Sequence, residues 1–418
     1  RRGGCWRRCW GERRPAVSRR LRWGLLVLAL APALALTGLL AFTPLPLWLV
    51  LQGGRVGIDD HRHFVNQPVT RPPVPSPLPV APVPLRWPGG LDAAAAATDL
   101  AADGTVALLV ARRGQLVHEA YFDGFTADRL TAVFSVAKSV VSLLLGMAIE
   151  DGHIAGVDDA VTRYLPELAA QDPRFDQVSL RHLLAMRSGI AFDEGYRSPT
   201  SDAARFYLAP DLKAEVARLR IGRAPDWIHQ YQSGDTQLLG QVIERATGLP
   251  LALYAQQRLW QPLGAEFDAS WSLDSAAGAQ ARAFCCLNAR ARDLLRLGLM
   301  VAADGHWNGR QLVGADWIRQ STAAQSGLPG PADPAWRNIE RPHAPEAAFY
   351  AWHWRVRPLP AVPGGPPLQP GPMVYAQGLH GQILLIDRDS RTVVLRLGRR
   401  QGDRHWPTWM DELVRLNR

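Results

Sequence analysis

Residues 134–154 read FSVAKSVVSLLLGMAIEDGHI, and this stretch decides the fold. Val136, Val140, Val141, Leu144, Leu145 and Ala148 recur at helical spacing, and Asp151-Gly152 ends the run. Ser135, Lys138, Ser139 and Ser142 stand at i, i+3, i+4 and i+7, so one face of an otherwise apolar helix is polar. A lysine on a buried helix is costly unless it is paired or used. A serine hydroxyl is a weak nucleophile until a nearby base takes its proton, and a lysine one turn along can be that base. Arginine cannot, because it keeps its proton in proteins. Of the 47 basic residues only Lys138 and Lys213 are lysine, so this position takes a deprotonatable amine in a chain that otherwise uses arginine.

Outward from that helix, the chain alternates its patterns. Thr105–Ala111, a polar turn at Arg112–Gln115 and Leu116–Phe122 predict a β-hairpin, with a helix over Asp92–Leu100 before it. Helical patterns dominate from Phe134 to Leu263. A second hairpin is expected from Ile383–Asp387 and Thr392–Leu397 around Arg388–Arg391, then a closing helix over Pro407–Leu416. Strands at both ends with helices between them predict an α/β (α+β) fold. A mixed antiparallel sheet completed by both termini is flanked by helices, with an all-helical lobe at about residues 140–265. A cleft between such lobes is a usual place for a site.

The N-terminal part is of another kind. Residues 1–22 hold nine arginines against Glu12, which accounts for +8 of the formal net charge of +9. The remainder is near neutral, so no basic nucleic-acid surface is indicated on the folded part. Residues 24–51 carry no charge, and about 20 apolar residues in helix span a membrane. The expected organisation is a basic cytoplasmic tail at 1–23 and a transmembrane anchor at 24–51. A proline-rich linker at 52–90 and a hydrolase domain at 91–418 follow. Arginines before the span put the domain on the periplasmic or extracellular side of the inner membrane. A cleaved signal peptide is the competing reading, although its apolar run would be only about 7–15 residues. The linker, with prolines at 68, 72, 73, 75, 77, 79, 82, 84 and 88, reads as an extended spacer. Cys5, Cys9 and the adjacent Cys285 and Cys286 show no metal-ligand spacing. Neighbouring cysteines bridge only with strain, so free or buried thiols are expected.

Two further elements carry polar chemistry. His229–Thr236 reads HQYQSGDT and places Tyr231 and Ser233 two apart before a helix over Gln237–Ala246. A phenol near an ammonium can relay protons to a leaving group, while a turn with an N-capped helix explains the same residues without chemistry. Gln377–Gln382 reads QGLHGQ directly before a strand, where glycine admits a close backbone approach and His380 can donate to an anion. A tight turn entering an edge strand is the plainer account. In the loop 192–207, FDEGYRSPTSDAARFY, Tyr196 and Asp202 are candidate substrate contacts or solvated surface residues.

In order and spacing these elements resemble the serine β-lactamases and penicillin-binding proteins. Those carry Ser-x-x-Lys, then Tyr-x-Asn or Tyr-x-Ser, then a Lys-Thr-Gly-like triplet on a strand. The chain is most similar to the class C β-lactamase-like branch that includes esterases and 6-aminohexanoate-dimer hydrolases. The resemblance is carried by FSVAKSVVSLLLGMAIEDGHI, YLPEL, SLRHLLAMRSGIAFDE, YQSGDTQLLGQVIERATG, CCLNARARDLLRLGLM, GHWNGRQLV and GLHGQ, spread over residues 134–382. It implies a β-lactamase/transpeptidase-like fold, Ser135 as acylated nucleophile, Lys138 as base and Tyr231 as the phenol. It implies an oxyanion hole from the N–H groups of Ser135 and Gln382, with His380-Gly381 standing near the triplet position. Ser233 replaces the asparagine and Lys-Thr-Gly is missing, which speaks against efficient β-lactam turnover. The expected function is hydrolysis of a small ester or amide without cofactor or metal. A D,D-peptidase or β-lactamase is a second expectation, and a non-catalytic, membrane-tethered peptide-binding domain a third. The expected partners are a small ester, amide or peptide-like substrate and the membrane, with no nucleic acid.

Overall fold

A computed structural model describes residues 54–196, 198–324, 348–359 and 369–418, together with Pro46, Leu49 and Gln52. Its central sheet has seven strands: β1 (Thr105–Arg112), β2 (Gln115–Tyr121), β3 (Phe349–Tyr350), β4 (Arg355–Pro358), β5 (Pro370–Gly378), β6 (Gln382–Asp387) and β7 (Thr392–Gly398). They lie in the order β2-β1-β7-β6-β5-β4-β3, every neighbouring pair antiparallel. The pairing of β1 with β7, Val110 opposite Val394, is where the two ends of the domain meet. The β1–β2 turn is tight because Arg113 and Gly114 both adopt positive φ, the conformation that matches strand twist.

Alternation along these strands feeds two cores. Leu108, Val110, Ile383, Leu385 and Val394 face α1 (Ala93–Ala102) and α5 (Trp406–Leu416). Leu109, Ala111, Leu384, Ile386, Val393 and Leu395 face α2 (Val136–Glu150) and α4 (Ala291–Ala302), the helix α3 (Ser233–Thr247) packing on α2. Strands covered on both sides read as continuous apolar runs, as β6 and β7 do. Between Ile154 and Leu263 the regular elements among the described residues are all helices, apart from isolated bridges such as Ala160 to Ser179. The expected antiparallel sheet completed by both ends of the domain and the helical lobe are therefore present, the sheet being antiparallel throughout.

In its elements the structure departs from the sequence reading, which did not foresee β3 and β4. Strand β5 was not foreseen: prolines at 370 and 372 hide it, and Gly378 pairs with Gln382 across a turn made by His380 and Gly381 at positive φ. The helix expected at Gln237 begins at Ser233, so Ser233 belongs to the first turn of α3. The segment 54–90 is not a free spacer. Asn66–Val69 pairs with Ala269–Ser272 in a four-stranded sheet, Val83 N–H donates to Val117 O at 3.1 Å, and Leu78 and Trp87 are buried. Proline lacks a ladder donor but tolerates an edge, so a proline-rich chain still lies along a domain surface. Cys285 and Cys286, expected as free or buried thiols, are buried but joined in a disulfide, with Cα atoms 3.7 Å apart. A tight turn aims both cysteine N–H groups at Arg282 O and folds the pair together.

The expected anchor at 24–51 lies outside the described residues except for Pro46 and Leu49. Among the described residues no helix is long and apolar enough to cross a membrane.

Candidate active site

The approach to α2 is bent by Phe134, a non-glycine residue at φ 48°. Such backbone is costly and is retained where a side chain must be aimed. Phe134 O accepts from Ala137 N–H at 2.9 Å, and Ser135 stands as the N-terminal flanking residue of the helix. Ser135 is partly exposed while Lys138, one turn along, is 2 % exposed. The nucleophile candidate therefore meets solvent and its base candidate does not.

Lys138 Nζ has three hydrogen-bond partners: Ser135 Oγ at 3.3 Å, Ser233 Oγ at 3.1 Å and Phe284 O at 2.8 Å. A neutral amine has two N–H donors and a lone pair, so it can serve Ser233 and Phe284 while accepting from the Ser135 hydroxyl. The ammonium formed on taking that proton has three donors and finds all three partners in place. The geometry suits both ends of a proton transfer.

Tyr231 meets the lysine through its ring, with Nζ 5.2 Å from the centroid. The Arg355 guanidinium, projecting from β4, lies 5.1 Å from the same centroid, and Tyr350 of β3 packs edge-on at 6.2 Å. Ser233, 3 % exposed, bridges Lys138 to Glu194: its hydroxyl donates to Oε1 at 2.7 Å and its N–H to Oε2 at 2.6 Å. Tyr196, exposed at the rim, donates its hydroxyl to Glu194 Oε1 at 2.6 Å. Asp202 is turned away. It receives Asp193 N–H at 2.7 Å and pairs with Arg205, and so shapes the loop rather than the site.

The third motif occupies a different register from the one the sequence suggested. His380 Nε2 engages Val56 O at 2.8 Å, with its ring edge-on to Phe134, and burial lowers its pKa. The carbonyl of Gly381 accepts from buried Arg396 at 2.7 Å. Gln382 is fully buried and its amide is tied to Gly398 of β7. The residue of this stretch beside Ser135 is Gly378: a Cβ there would stand 3.2 Å from Ser135 N and 2.4 Å from Val133 O. Only glycine lets β5 come this close to the start of α2.

Behind the lysine, His353 ties three elements together. Its carbonyl accepts from Ser139 Oγ at 2.6 Å, and its Nε2 lies 3.1 Å from Thr236 Oγ1. Burial, then the nearby lysine charge, push the imidazole down to about 3, which keeps it neutral. Asp235 is also fully buried, with Ser188 and Gln232 donating to Oδ1, and burial pushes its carboxyl far above the usual carboxylate range.

Sequence reading brought Ser135, Lys138, Tyr231, Ser233 and Tyr196 to one place and missed Glu194, Phe284 O, Arg355, His353 and Gly378. Glu194 carried a signal, an acidic residue two before Tyr196 in a loop already singled out. A backbone carbonyl such as Phe284 O carries none. Among the described residues no cluster of side chains could hold a metal ion.

With this geometry in hand, comparison with known proteins is informative. A family model described as Beta-lactamase matches residues 94–409. The chain is 27% identical over 318 residues to the 6-aminohexanoate-dimer hydrolase of Paenarthrobacter ureafaciens, covering 72% of this chain and 75% of that protein. It is 33% identical over 149 residues to Esterase EstB of Burkholderia gladioli, covering 33% of this chain and 37% of that one. A solved Bacillus anthracis structure, provisionally named a 6-aminohexanoate-dimer hydrolase, superposes with a TM-score of 0.69 at 21% identity. That match covers 84% of this chain and 89% of the other.

Proposed function

From the premise that this chain belongs to the β-lactamase family and is a serine hydrolase, we propose that it cleaves the ester or amide bond of a small substrate through an acyl-serine intermediate. The observation that carries this reading is Lys138 Nζ, 3.3 Å from Ser135 Oγ, with its other two partners already engaged. In the acylation step the Ser135 Oγ–H bond breaks as its proton passes to Lys138 Nζ. Oγ bonds to the substrate carbonyl carbon, and the carbonyl π pair moves to oxygen. The N–H of Ser135 and the backbone that follows Gly378 are the proposed oxyanion donors, the second replacing Gln382 in this role. Collapse expels the alcohol or amine, which takes its proton from Lys138 or Tyr231. Water, giving a proton to the restored Lys138 amine, then attacks the acyl carbon; the bond to Oγ breaks, Oγ takes that proton back, and the acid leaves.

The relatives named as 6-aminohexanoate-dimer hydrolase and esterase support linear amides and short esters as the substrate class. The missing Lys-Thr-Gly leaves no lysine at the position where β-lactam binding would want one. Purified chain assayed against p-nitrophenyl butyrate, the linear dimer of 6-aminohexanoate and a chromogenic cephalosporin tests the reading. Ester or linear-amide turnover that disappears in Ser135→Ala supports it. Faster cephalosporin opening favours a β-lactamase, and binding without turnover, unchanged in Ser135→Ala, favours a recognition domain.

We also propose that residues 24–51 anchor the enzyme in the membrane, on the strength of their charge-free run behind nine arginines. Fractionation of cells producing the full chain, with alkaline extraction of the membranes, tests this. Release into the soluble fraction would sink it.

A further inference from the structure

The side chain of Glu194 has no part in the mechanism above, yet it is held with unusual completeness. Ser233 N–H, Ser233 Oγ and Tyr196 hydroxyl all donate to it, at 2.6, 2.7 and 2.6 Å. Both oxygens therefore act as acceptors, the arrangement an ionised carboxylate needs. The same Ser233 hydroxyl accepts from Lys138 Nζ at 3.1 Å. A single side chain thus separates the carboxylate from the amine.

The groups around Lys138 can be taken element by element. From α3, Asp235 is fully buried, and burial pushes its carboxyl well above the usual carboxylate range. From the turn before β4, His353 is neutral for the same reason, with the lysine charge adding to the effect. The Tyr231 and Phe284 rings lie 5.2 and 5.5 Å from the amine, and the Arg355 guanidinium lies 5.1 Å from the same Tyr231 centroid and 5.7 Å from that of Tyr350. From the loop after residue 192, Asp193 caps Gly195 N–H at 2.9 Å and Tyr196 is bound to Glu194. Among the described residues, Glu194 is the carboxylate joined to Lys138 through one bridging hydroxyl. Charge that appears on Nζ in a 2 % exposed position has little water to stabilise it.

We infer that Glu194 is a positioning residue for proton transfer, stabilising through Ser233 the ammonium that forms on Lys138 as Ser135 attacks. The inference rests on the acyl-serine reading of the same site. As the Ser135 proton arrives at Nζ, the N–H···Oγ bond to Ser233 shortens. Ser233 Oγ–H in turn leans toward Glu194, so the carboxylate charge reaches the amine without touching substrate. Polarisation along such a chain strengthens each bond in it. A neutral group at position 194 makes Lys138 a weaker base, so its conjugate acid loses its proton at lower pH.

The test is the pH profile of kcat/KM for p-nitrophenyl butyrate with purified full chain. In Glu194→Gln the acid limb is expected to move down by about one unit, an opposite charge at short range being worth ~1–3 units when removed. The plateau kcat falls about tenfold while KM changes less than about twofold. Glu194→Asp retains the charge and recovers part of the shift. Ser233→Ala, which leaves the carboxylate but removes the bridge, shifts the limb in the same direction, and Glu194→Gln then adds little to it. Thermal unfolding of each variant shows whether the loop change has disturbed the fold, and Ser233→Ala reaches the same link from the opposite element. An unmoved acid limb in both Glu194→Gln and Ser233→Ala, with turnover still dependent on Ser135, overturns this inference alone. Turnover that survives in Ser135→Ala overturns the acyl-serine reading beneath it.

Discussion

The carbonyl of Phe284 accepts a hydrogen bond from Lys138 Nζ at 2.8 Å, shorter than the contact of the same nitrogen with Ser135 Oγ at 3.3 Å. A backbone acceptor 146 residues away in sequence therefore orients the amine, and the serine contact is the slack one. That ordering suits a base, which must hold its own N–H groups elsewhere to turn a lone pair toward the nucleophile.

The proposed acyl-serine mechanism requires at position 138 an amine that can lose a proton. Lys138→Arg keeps the charge and is expected to lower kcat/KM for p-nitrophenyl butyrate by ~10³-fold or more, as far as Lys138→Met. Ser135→Ala should do the same, and the double variant should be no worse, since the two act as a unit. Steady-state kinetics read this directly, and substantial activity in Lys138→Arg would remove the lysine from the base role.

At Gly378 the prediction concerns space. A methyl group there would sit 2.4 Å from Val133 O, so β5 must back away from the start of α2. Gly378→Ala should lower kcat by about 10²-fold, the cost of one misplaced oxyanion donor. Labelling of Ser135 by a fluorophosphonate followed in parallel should slow as well, and unaltered kinetics would place the oxyanion site elsewhere.

His353 makes stability depend on pH. Its folded pKa of about 3 lies below the ordinary 6.5, so the unfolded chain binds the proton more tightly between those values. Stability from this group is intact above pH 6.5 and drains as pH falls toward 3. From pH 7 to pH 5, urea unfolding of wild type should lose about 2 kcal/mol more than that of His353→Gln. Other histidines whose partial burial lowers their pKa, such as His118 and His182, act in both proteins and cancel in the comparison. Parallel pH curves would contradict the buried neutral imidazole.

Arg396 anchors the turn that carries the third motif. Fully buried and lying 3.8 Å over the Trp406 ring, it donates to Thr105 Oγ1 and to the carbonyls of His380, Gly381, Asp103 and Arg400. Burial pulls its pKa down to about 9. Arg396→Met fills much of the volume but strands those carbonyls, so a loss of a few kcal/mol is expected in denaturant unfolding. A neutral outcome would mean that water replaces the guanidinium.

The sequence alone determined what local periodicity encodes. Helical spacing around Ser135 put its lysine partner on the same face, and apolar runs on either side of polar turns located both hairpins, with the β1–β2 strands placed within one residue of their observed ends. The order of the three polar motifs was enough to identify the family. Tertiary structure decided everything that depends on distant chain meeting distant chain. Glu194 reaches Ser233 across 39 positions, Phe284 reaches Lys138 across 146, and Gly378 replaces His380, Gly381 and Gln382 beside Ser135 because a strand hidden among prolines sets the register. The proline-rich segment was misjudged for the same reason, whereas the Cys285–Cys286 bridge turns on a local backbone turn at Arg282 that residue spacing does not record. Spacing along a chain records which side chains share a helix or strand face, and holds no record of which backbone groups packing will press against them.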